Sequence, residues 1–94
     1  MKYLINGCGS SKFNDAFTFL EKRKWRRSPS NGLYAVYSNK LGKAKVEKHA
    51  RVEFFNRGGY EISHYGDPKE ILPIVQGLQR ITNGHLITID DRLR

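Results

Sequence analysis

The residue types best suited to chemistry lie in one basic stretch, Lys22–Arg27, where five of six side chains are cationic and the sixth is the only tryptophan. Residues 22–57 contain eleven lysines and arginines and two acids, a formal charge of +9, whereas the other 58 residues together carry −1. A need for solubility would explain a basic chain but not this clustering. Lysine and arginine neutralise phosphates, and flat side chains stack on bases. The pattern therefore indicates a protein that binds nucleic acid.

The predicted nucleic-acid-binding surface combines this stretch with the cations that follow it along the chain. Its residues are Lys22, Arg23, Lys24, Trp25, Arg26, Arg27, Lys40, Lys43, Lys45, Arg51 and Arg57. The aromatic side chains that are candidates for base stacking are Trp25, Tyr34, Tyr37, Phe55 and Tyr65. Core packing is the alternative for each: Trp25 as an anchor that closes a helix, and at least one of Tyr34 and Tyr37, which fall on opposite faces of one predicted strand.

No comparable pattern predicts catalysis or metal binding. The segment 7–11, Gly-Cys-Gly-Ser-Ser, precedes a predicted helix as phosphate-cradling loops do, but it lacks the lysine of a Walker loop and the third glycine of a dinucleotide fingerprint. An ordinary strand-to-helix turn is the preferred interpretation. Cys8 is the only cysteine, and His49 and His64 are predicted on opposite faces of the sheet. We therefore expect no enzyme, no cofactor and no metal site.

Length and patterning predict one α+β domain over residues 1–94. The expected order is β-α-β-β-β-α-β, with a mostly antiparallel sheet and two helices on one of its faces. Strands are expected at 2–6, 33–38, 44–55, 60–65 and 85–90, and helices at 12–24 and 68–81. The predicted core consists of Phe17, Leu20, Val52, Phe54, Ile62, Val75, Leu78 and Ile87.

Local signals predict how these elements begin, end and turn. Ser10 or Ser11 is expected to cap the first helix, and Asp67 the second. Pro73 predicts a kink or a 3₁₀ first turn in the second helix. A three-residue hairpin loop, Arg57–Gly59, would place Phe54 opposite Ile62 and Arg51 opposite Tyr65.

The order of elements from residue 25 to 90 resembles the C-terminal double-wing DNA-binding domain of the phage MotA transcription factor. The similar segments are 32–38, 44–56, 59–66, the helix after them, and the Asn-Gly turn and strand at 83–90. The resemblance implies a regulator that binds duplex DNA. Size and basic charge are also similar to those of small phage accessory proteins that neutralise host toxins while holding RNA. That similarity implies an inhibitor of a host nuclease or toxin.

The sequence thus predicts a non-enzymatic nucleic-acid-binding protein that prefers RNA or single strands, because aromatics interleaved with cations suit base stacking. The two alternatives are the duplex-DNA regulator and the inhibitor, whose partner would be an acidic or RNA-loaded host protein. One free cysteine suits a reducing cytoplasm, and the first apolar run is too short for a signal peptide or membrane span. We expect a cytoplasmic protein, in the host cytoplasm if a phage encodes it.

Overall fold

The described part of the chain forms six strands and two helices, in the predicted order except for one additional strand. The computed structural model describes residues 2–29, 32–40, 49–64 and 68–89. Its elements are β1 (Lys2–Asn6), a 3₁₀ turn (Ser10–Lys12), α1 (Phe13–Lys22), β2 (Arg26–Ser28), β3 (Ala35–Lys40), β4 (His49–Phe54), β5 (Tyr60–Ser63), α2 (Pro68–Thr82) and β6 (His85–Ile89). The additional strand is β2, which is separated from α1 by three residues and lies in a segment where neither a helix nor a strand was predicted.

One antiparallel sheet organises the molecule, with the strand order β2-β3-β4-β5-β1-β6. Side chains alternate between its two faces, as the pleat requires. Both helices pack on the face that carries Tyr37, Val52 and Ile62, which we call the covered face. The opposite face, called the open face, carries no helix within the described part of the chain. The prediction of an α+β domain with both helices on one face of an antiparallel sheet is confirmed.

The core lies between the covered face and the two helices. Seven of the eight predicted core side chains are buried there: Phe17, Leu20, Val52, Phe54, Ile62, Val75 and Leu78. Ile87 is a correction, since its side chain is 39% exposed. In the β1–β6 register Ile5 lies opposite Leu86, and Leu4 lies opposite Ile87. Leu86 therefore packs against the core, and Ile87 lies on the open face.

The β4–β5 hairpin differs from its predicted register by two residues. Phe54 lies opposite Tyr60, and Arg51 opposite Ser63, because the three-residue loop is 56–58 and not 57–59. The backbone N–H of Phe55 donates to the carbonyl oxygen of Gly59 at 3.1 Å and closes the loop. Gly59 has the expected positive φ, +78°. Because side chains alternate with a period of two, a shift of two residues leaves each side chain on its predicted face of the sheet, although the pairing is wrong.

A left-handed residue at the end of α1 explains the unpredicted strand. Lys24 has φ +65°, the N–H of Trp25 donates to Leu20 O at 3.0 Å, and that of Lys24 donates to Glu21 O at 3.1 Å. These two bonds form a Schellman motif, which usually has glycine at the left-handed position. The chain reverses there and continues as β2. The helix therefore ends at Lys22, two residues before its predicted end at residue 24.

The other predictions concern how the two helices begin and end. Ser10 and Ser11 lie in the 3₁₀ turn, and no side-chain hydrogen bond caps α1 at its start, so the serine-cap prediction was wrong. The helix α2 is α-helical from Pro68 onward with Pro73 inside it, and no 3₁₀ turn opens it. It ends at Thr82, after which Asn83 adopts φ +53° and donates its N–H to Gln79 O at 2.7 Å. The predicted Asp67 cap, residues 44–48 of the long strand, and Tyr65 lie outside the described residues.

Candidate nucleic-acid interface

The end of α1 and the edge strand β2 together form the basic edge of the molecule, which consists of Lys22, Arg23, Lys24, Arg26 and Arg27. All five side chains are exposed. The side-chain amide of Asn39 donates to Arg23 O at 3.5 Å and holds the end of α1 beside the end of β3. Lys40, the final residue of β3, follows directly. The fold therefore brings residues 22–27 close to the backbone of Lys40, one of the predicted cations that follow this stretch in the sequence.

Arg26 and Arg27 are consecutive in a strand and point to opposite faces of the sheet. Arg26 pairs with Ser38 on the open face, and Arg27 pairs with Tyr37 on the covered face. The two side chains have different surroundings as a result. The basic edge can therefore present charge to a ligand on either face.

The open face aligns Arg26 with a second arginine that is 25 residues away in sequence. Ser38 lies opposite Arg26 across β2–β3, and Arg51 lies opposite Ser38 across β3–β4. We call these three residues the open-face row. Neighbouring strands are about 4.8 Å apart, so the two arginine backbones are separated by about 10 Å. A cation, a hydroxyl and a second cation thus stand in line across three strands.

The charge of the open face changes from basic at β2 to balanced in the middle of the sheet. Arg51 Nη2 lies 3.6 Å from Glu53 Oε1, and Lys2 Nζ lies 3.6 Å from Glu61 Oε1. Glu53 and Glu61 are directly opposite one another in the β4–β5 register. Each of these carboxylates has a nearby cation that offsets the repulsion between them. No acid of β2 or β3 offsets Arg26, so an anion is attracted most strongly at that edge.

Two arginines of the basic edge, Arg23 and Arg27, also pack on aromatic rings. The Arg23 guanidinium carbon lies 3.7 Å from the centroid of Phe19, and its Nη1 donates to Phe19 O at 3.1 Å. The Arg27 guanidinium carbon lies 5.4 Å from the centroid of Phe17. Such cation–π contacts hold the side chains in place while the guanidinium edges stay available to solvent.

Tyr37, a core residue, lies next to Arg27. Burial raises the pKa of its phenol above the usual value, and the charge of nearby Glu21 raises it further, while Arg27 lowers it. Both charged side chains lie close to the phenol. Because its pKa is raised, the phenol of Tyr37 is neutral at neutral pH. Arg27 therefore has a structural contact that Arg26 lacks within the described residues.

The structure places the predicted site residues in three groups. Lys22, Arg23, Lys24, Arg26, Arg27 and Arg51 are exposed at or beside the basic edge, as expected of a ligand-binding surface. Arg57 is exposed in the 56–58 loop, beyond the far end of β4 and outside the basic edge. Lys43, Lys45 and the side chain of Lys40 lie outside the described residues.

Two of the five aromatic residues that were candidates for base stacking are buried in the core. Trp25 is 3% exposed and Tyr37 is 1% exposed, and both belong to the core cluster. A ring that is closed off by the core presents no face to a base, so these two residues take the core alternative. Tyr34 is 41% exposed, and Phe55 is half-buried. The backbone N–H of Trp25 donates to Leu20 O and closes the end of α1, and the Trp25 side chain packs in the core.

Sequence reasoning missed the two serines of this surface. Ser28 and Ser38 lie on adjacent strands of the open face, with their hydroxyl oxygens 3.2 Å apart. Serine carries no periodic hydrophobic signal, and the prediction placed Ser28 in a loop. The position of Ser38, two residues after Val36 on the same strand face, is the only sequence signal that would have marked it.

The structure describes the surroundings of two residues that were considered for other chemistry, Cys8 and His64. The N–H of Gly59 donates to Cys8 O at 3.0 Å, and a Cβ on Gly58 would lie 2.6 Å from the same oxygen, so the 7–9 loop packs against the β4–β5 turn. His64 is buried, with Nε2 3.6 Å from Glu70 Oε1. No cluster of three or more metal-ligating side chains occurs among residues 2–29, 32–40, 49–64 and 68–89. Neither described helix has the length and apolar character needed to cross a membrane.

Comparisons with protein-family models, with curated proteins and with solved structures find no match to this chain. The resemblance to the double-wing domain and the similarity to small phage accessory proteins therefore stay predictions. The function has to be argued from the basic edge and the open-face row themselves.

Proposed function

We propose that the protein binds nucleic acid through backbone phosphates at the basic edge and the open-face row. The observation that carries the proposal is the alignment of Arg26 and Arg51 on one face, with the hydroxyl of Ser38 between them. Arginine and serine side chains are among the groups that bind phosphate oxygens in protein–nucleic-acid complexes. The chain has a formal charge of +8, which adds long-range attraction to the local contacts.

Phosphate contacts are better supported than base stacking. Two of the five stacking candidates are buried, and only Tyr34 among the described candidates is classed as exposed. Its ring centroid lies 5.1 Å from that of Phe13 and 6.1 Å from that of Phe17, so one part of the ring is occupied by the core. Among the described candidates, a preference for RNA or single strands therefore depends mainly on Tyr34, whereas binding to the backbone does not.

The test is the salt dependence of binding to a fluorescently labelled single-stranded RNA, measured by anisotropy. If about four to six phosphates are neutralised, log K for a single strand falls against log[salt] with a slope of roughly −3 to −4. The double variant Arg26→Gln/Arg51→Gln should bind more weakly and with a slope shallower by about two. A matched control, Lys12→Gln/Arg80→Gln, removes the same charge from exposed positions at the start of α1 and the end of α2.

Three outcomes separate the alternatives. Equal losses in the two double variants would mean that only net charge matters, which would contradict a defined interface. Affinity that does not change between low and physiological salt would contradict phosphate binding altogether. Duplex DNA bound much more tightly than a single strand of the same length would support the double-wing regulator over an RNA-binding protein.

A further inference from the structure

A small depression lies on the open face where β2, β3 and β4 meet. It has a volume of about 280 Å³, and it is lined by Ser28, Val36, Ser38 and Arg51. Val36 is 2% exposed and forms an apolar floor. The register places Arg26 opposite Ser38, so a second arginine stands at the β2 side of the same depression. Two hydroxyls and one guanidinium therefore line this apolar floor, and Arg26 lies next to it in the sheet register.

The serine pair leaves a donor for a ligand. The two hydroxyl oxygens are 3.2 Å apart, and either one serves as the donor to the other. Each hydroxyl has one proton, so whichever serine accepts in this contact keeps its own proton for a third group. The pair can also reverse its direction without moving a heavy atom. A ligand oxygen above the pair can thus accept a hydrogen bond from the hydroxyl of either serine.

Arg51 provides the charge. Its guanidinium has five N–H donors in a planar fork. The closest carboxylate oxygen in the described residues, Glu53 Oε1, is 3.6 Å from Nη2, which exceeds the 2.7–3.2 Å typical of an N–H···O hydrogen bond. The side chain is 53% exposed. The ion pair with Glu53 is loose and wet, so it competes weakly with a ligand that accepts two parallel hydrogen bonds.

We propose that this depression binds one backbone phosphate of the nucleic acid, an inference that rests on the function proposed above. Arg51 donates a bidentate pair of hydrogen bonds to two phosphate oxygens, and a serine hydroxyl donates to a third. Arg26 contributes a second positive charge from the β2 side. The apolar floor keeps water away from one side of the anion, which strengthens each of these interactions.

The neighbouring acids define where the phosphate sits. Glu53 follows Arg51 by two residues on the same strand face, and Glu61 lies opposite Glu53. An anion on that side of Arg51 would be repelled by both carboxylates. The phosphate therefore lies toward β3 and β2, above Ser38, and the strand that carries it leaves the sheet over the basic edge. Ser63, on the β5 side of Arg51, does not contact it.

Inorganic phosphate tests the site without a nucleic acid. Titration of the ¹⁵N-labelled protein, with chloride at equal ionic strength as reference, should shift the amide signals of Ser28, Ser38 and Arg51 in a saturable way. The Arg51→Gln variant should lose this response. In parallel, the labelled RNA is bound to the double variant Ser28→Ala/Ser38→Ala and to the control Ser63→Ala, whose hydroxyl is on the same face. Thermal melting verifies that every variant is folded.

The serine double variant should bind the RNA about tenfold more weakly with an unchanged salt slope, because it loses hydrogen bonds to a charged group but no charge. Arg51→Gln should weaken binding and make the slope shallower by about one. Ser63→Ala should bind as the wild type does. No localised phosphate shift, together with normal salt-dependent RNA binding, would overturn the subsite and leave the proposed function standing. Absence of RNA binding by the wild type would overturn both. A larger loss in Ser63→Ala than in the serine double variant would place the phosphate on the β5 side and overturn the proposed location.

Discussion

Exchange of Arg26 or Arg27 for glutamine separates binding from folding at two consecutive positions. Arg26 points to the open face, whereas Arg27 lies over Phe17 and close to the phenol of Tyr37. A phosphate contact contributes about 0.7–0.9 to the slope of log K against log[salt] and little at about 1 M salt. Its loss therefore raises Kd about fivefold at 0.15 M salt. Arg26→Gln should show this effect with almost no change in stability.

Arg27→Gln should do the reverse. A cation–π contact at an exposed site contributes about 0.5–1 kcal/mol to the free energy of unfolding. In a domain of this size such a loss lowers Tm by roughly 2–8 °C. Anisotropy at several salt concentrations and thermal melting of both variants provide the comparison. If Arg27→Gln loses more affinity than Arg26→Gln while its Tm is unchanged, the ligand lies on the covered face and the reasoning from the open-face row is refuted.

Three further changes test the structure on which the interface is built. Trp25→Ala should lower the free energy of unfolding by about 3–5 kcal/mol without weakening RNA binding by the folded protein; normal melting with weaker binding would make Trp25 a stacking residue after all. Lys24→Gly should raise the unfolding free energy by about 1 kcal/mol because residue 24 has φ +65°, while the control Lys22→Gly, inside α1, should lower it; destabilisation by both would contradict the Schellman geometry. Burial raises the pKa of Tyr60 above its usual value of 10.0, so the unfolded chain releases the phenolic proton first and wild-type stability falls as the pH rises above about 10. Denaturant unfolding between pH 9 and 11 should show a shallower fall for Tyr60→Phe, and identical slopes would contradict the burial of a neutral phenol.

The fold was predictable where burial produces a pattern. Val52, Phe54 and Ile62 alternate with polar residues, and this period of two identified the covered face even though the hairpin register was wrong by two. The helices were recognisable from apolar residues at helical spacing, such as Phe17 and Leu20. Ile87 was assigned to the wrong face because Leu86, Ile87 and Thr88 follow one another without an alternation of apolar and polar residues. Only the pairing of β6 with β1 shows which of these side chains face the core.

The site was less predictable, because it depends on pairing between distant segments. Clustering in sequence identified the charges of residues 22–27, but nothing in the chain marks Lys24 as left-handed, and this conformation turns the next residues into a strand. Only the β2–β3–β4 register then reveals that Arg26 and Arg51 share a face with two serines. Trp25 illustrates the opposite error, since an aromatic between cations suggests stacking while its burial depends on a core that sequence spacing alone does not describe.

The most direct measurement of the interface is an NMR titration of the ¹⁵N-labelled wild-type protein with a short single-stranded RNA. If the basic edge and the open-face row hold the phosphates, the amide signals of Arg23, Arg26, Ser38 and Arg51 shift most, and those of α2 and β6 stay in place. Raising the salt from 0.05 to about 0.5 M should reverse the shifts, because phosphate contacts weaken with ionic strength. Shifts concentrated on α2 or β6, or no shifts at low salt, would contradict nucleic-acid binding at this surface.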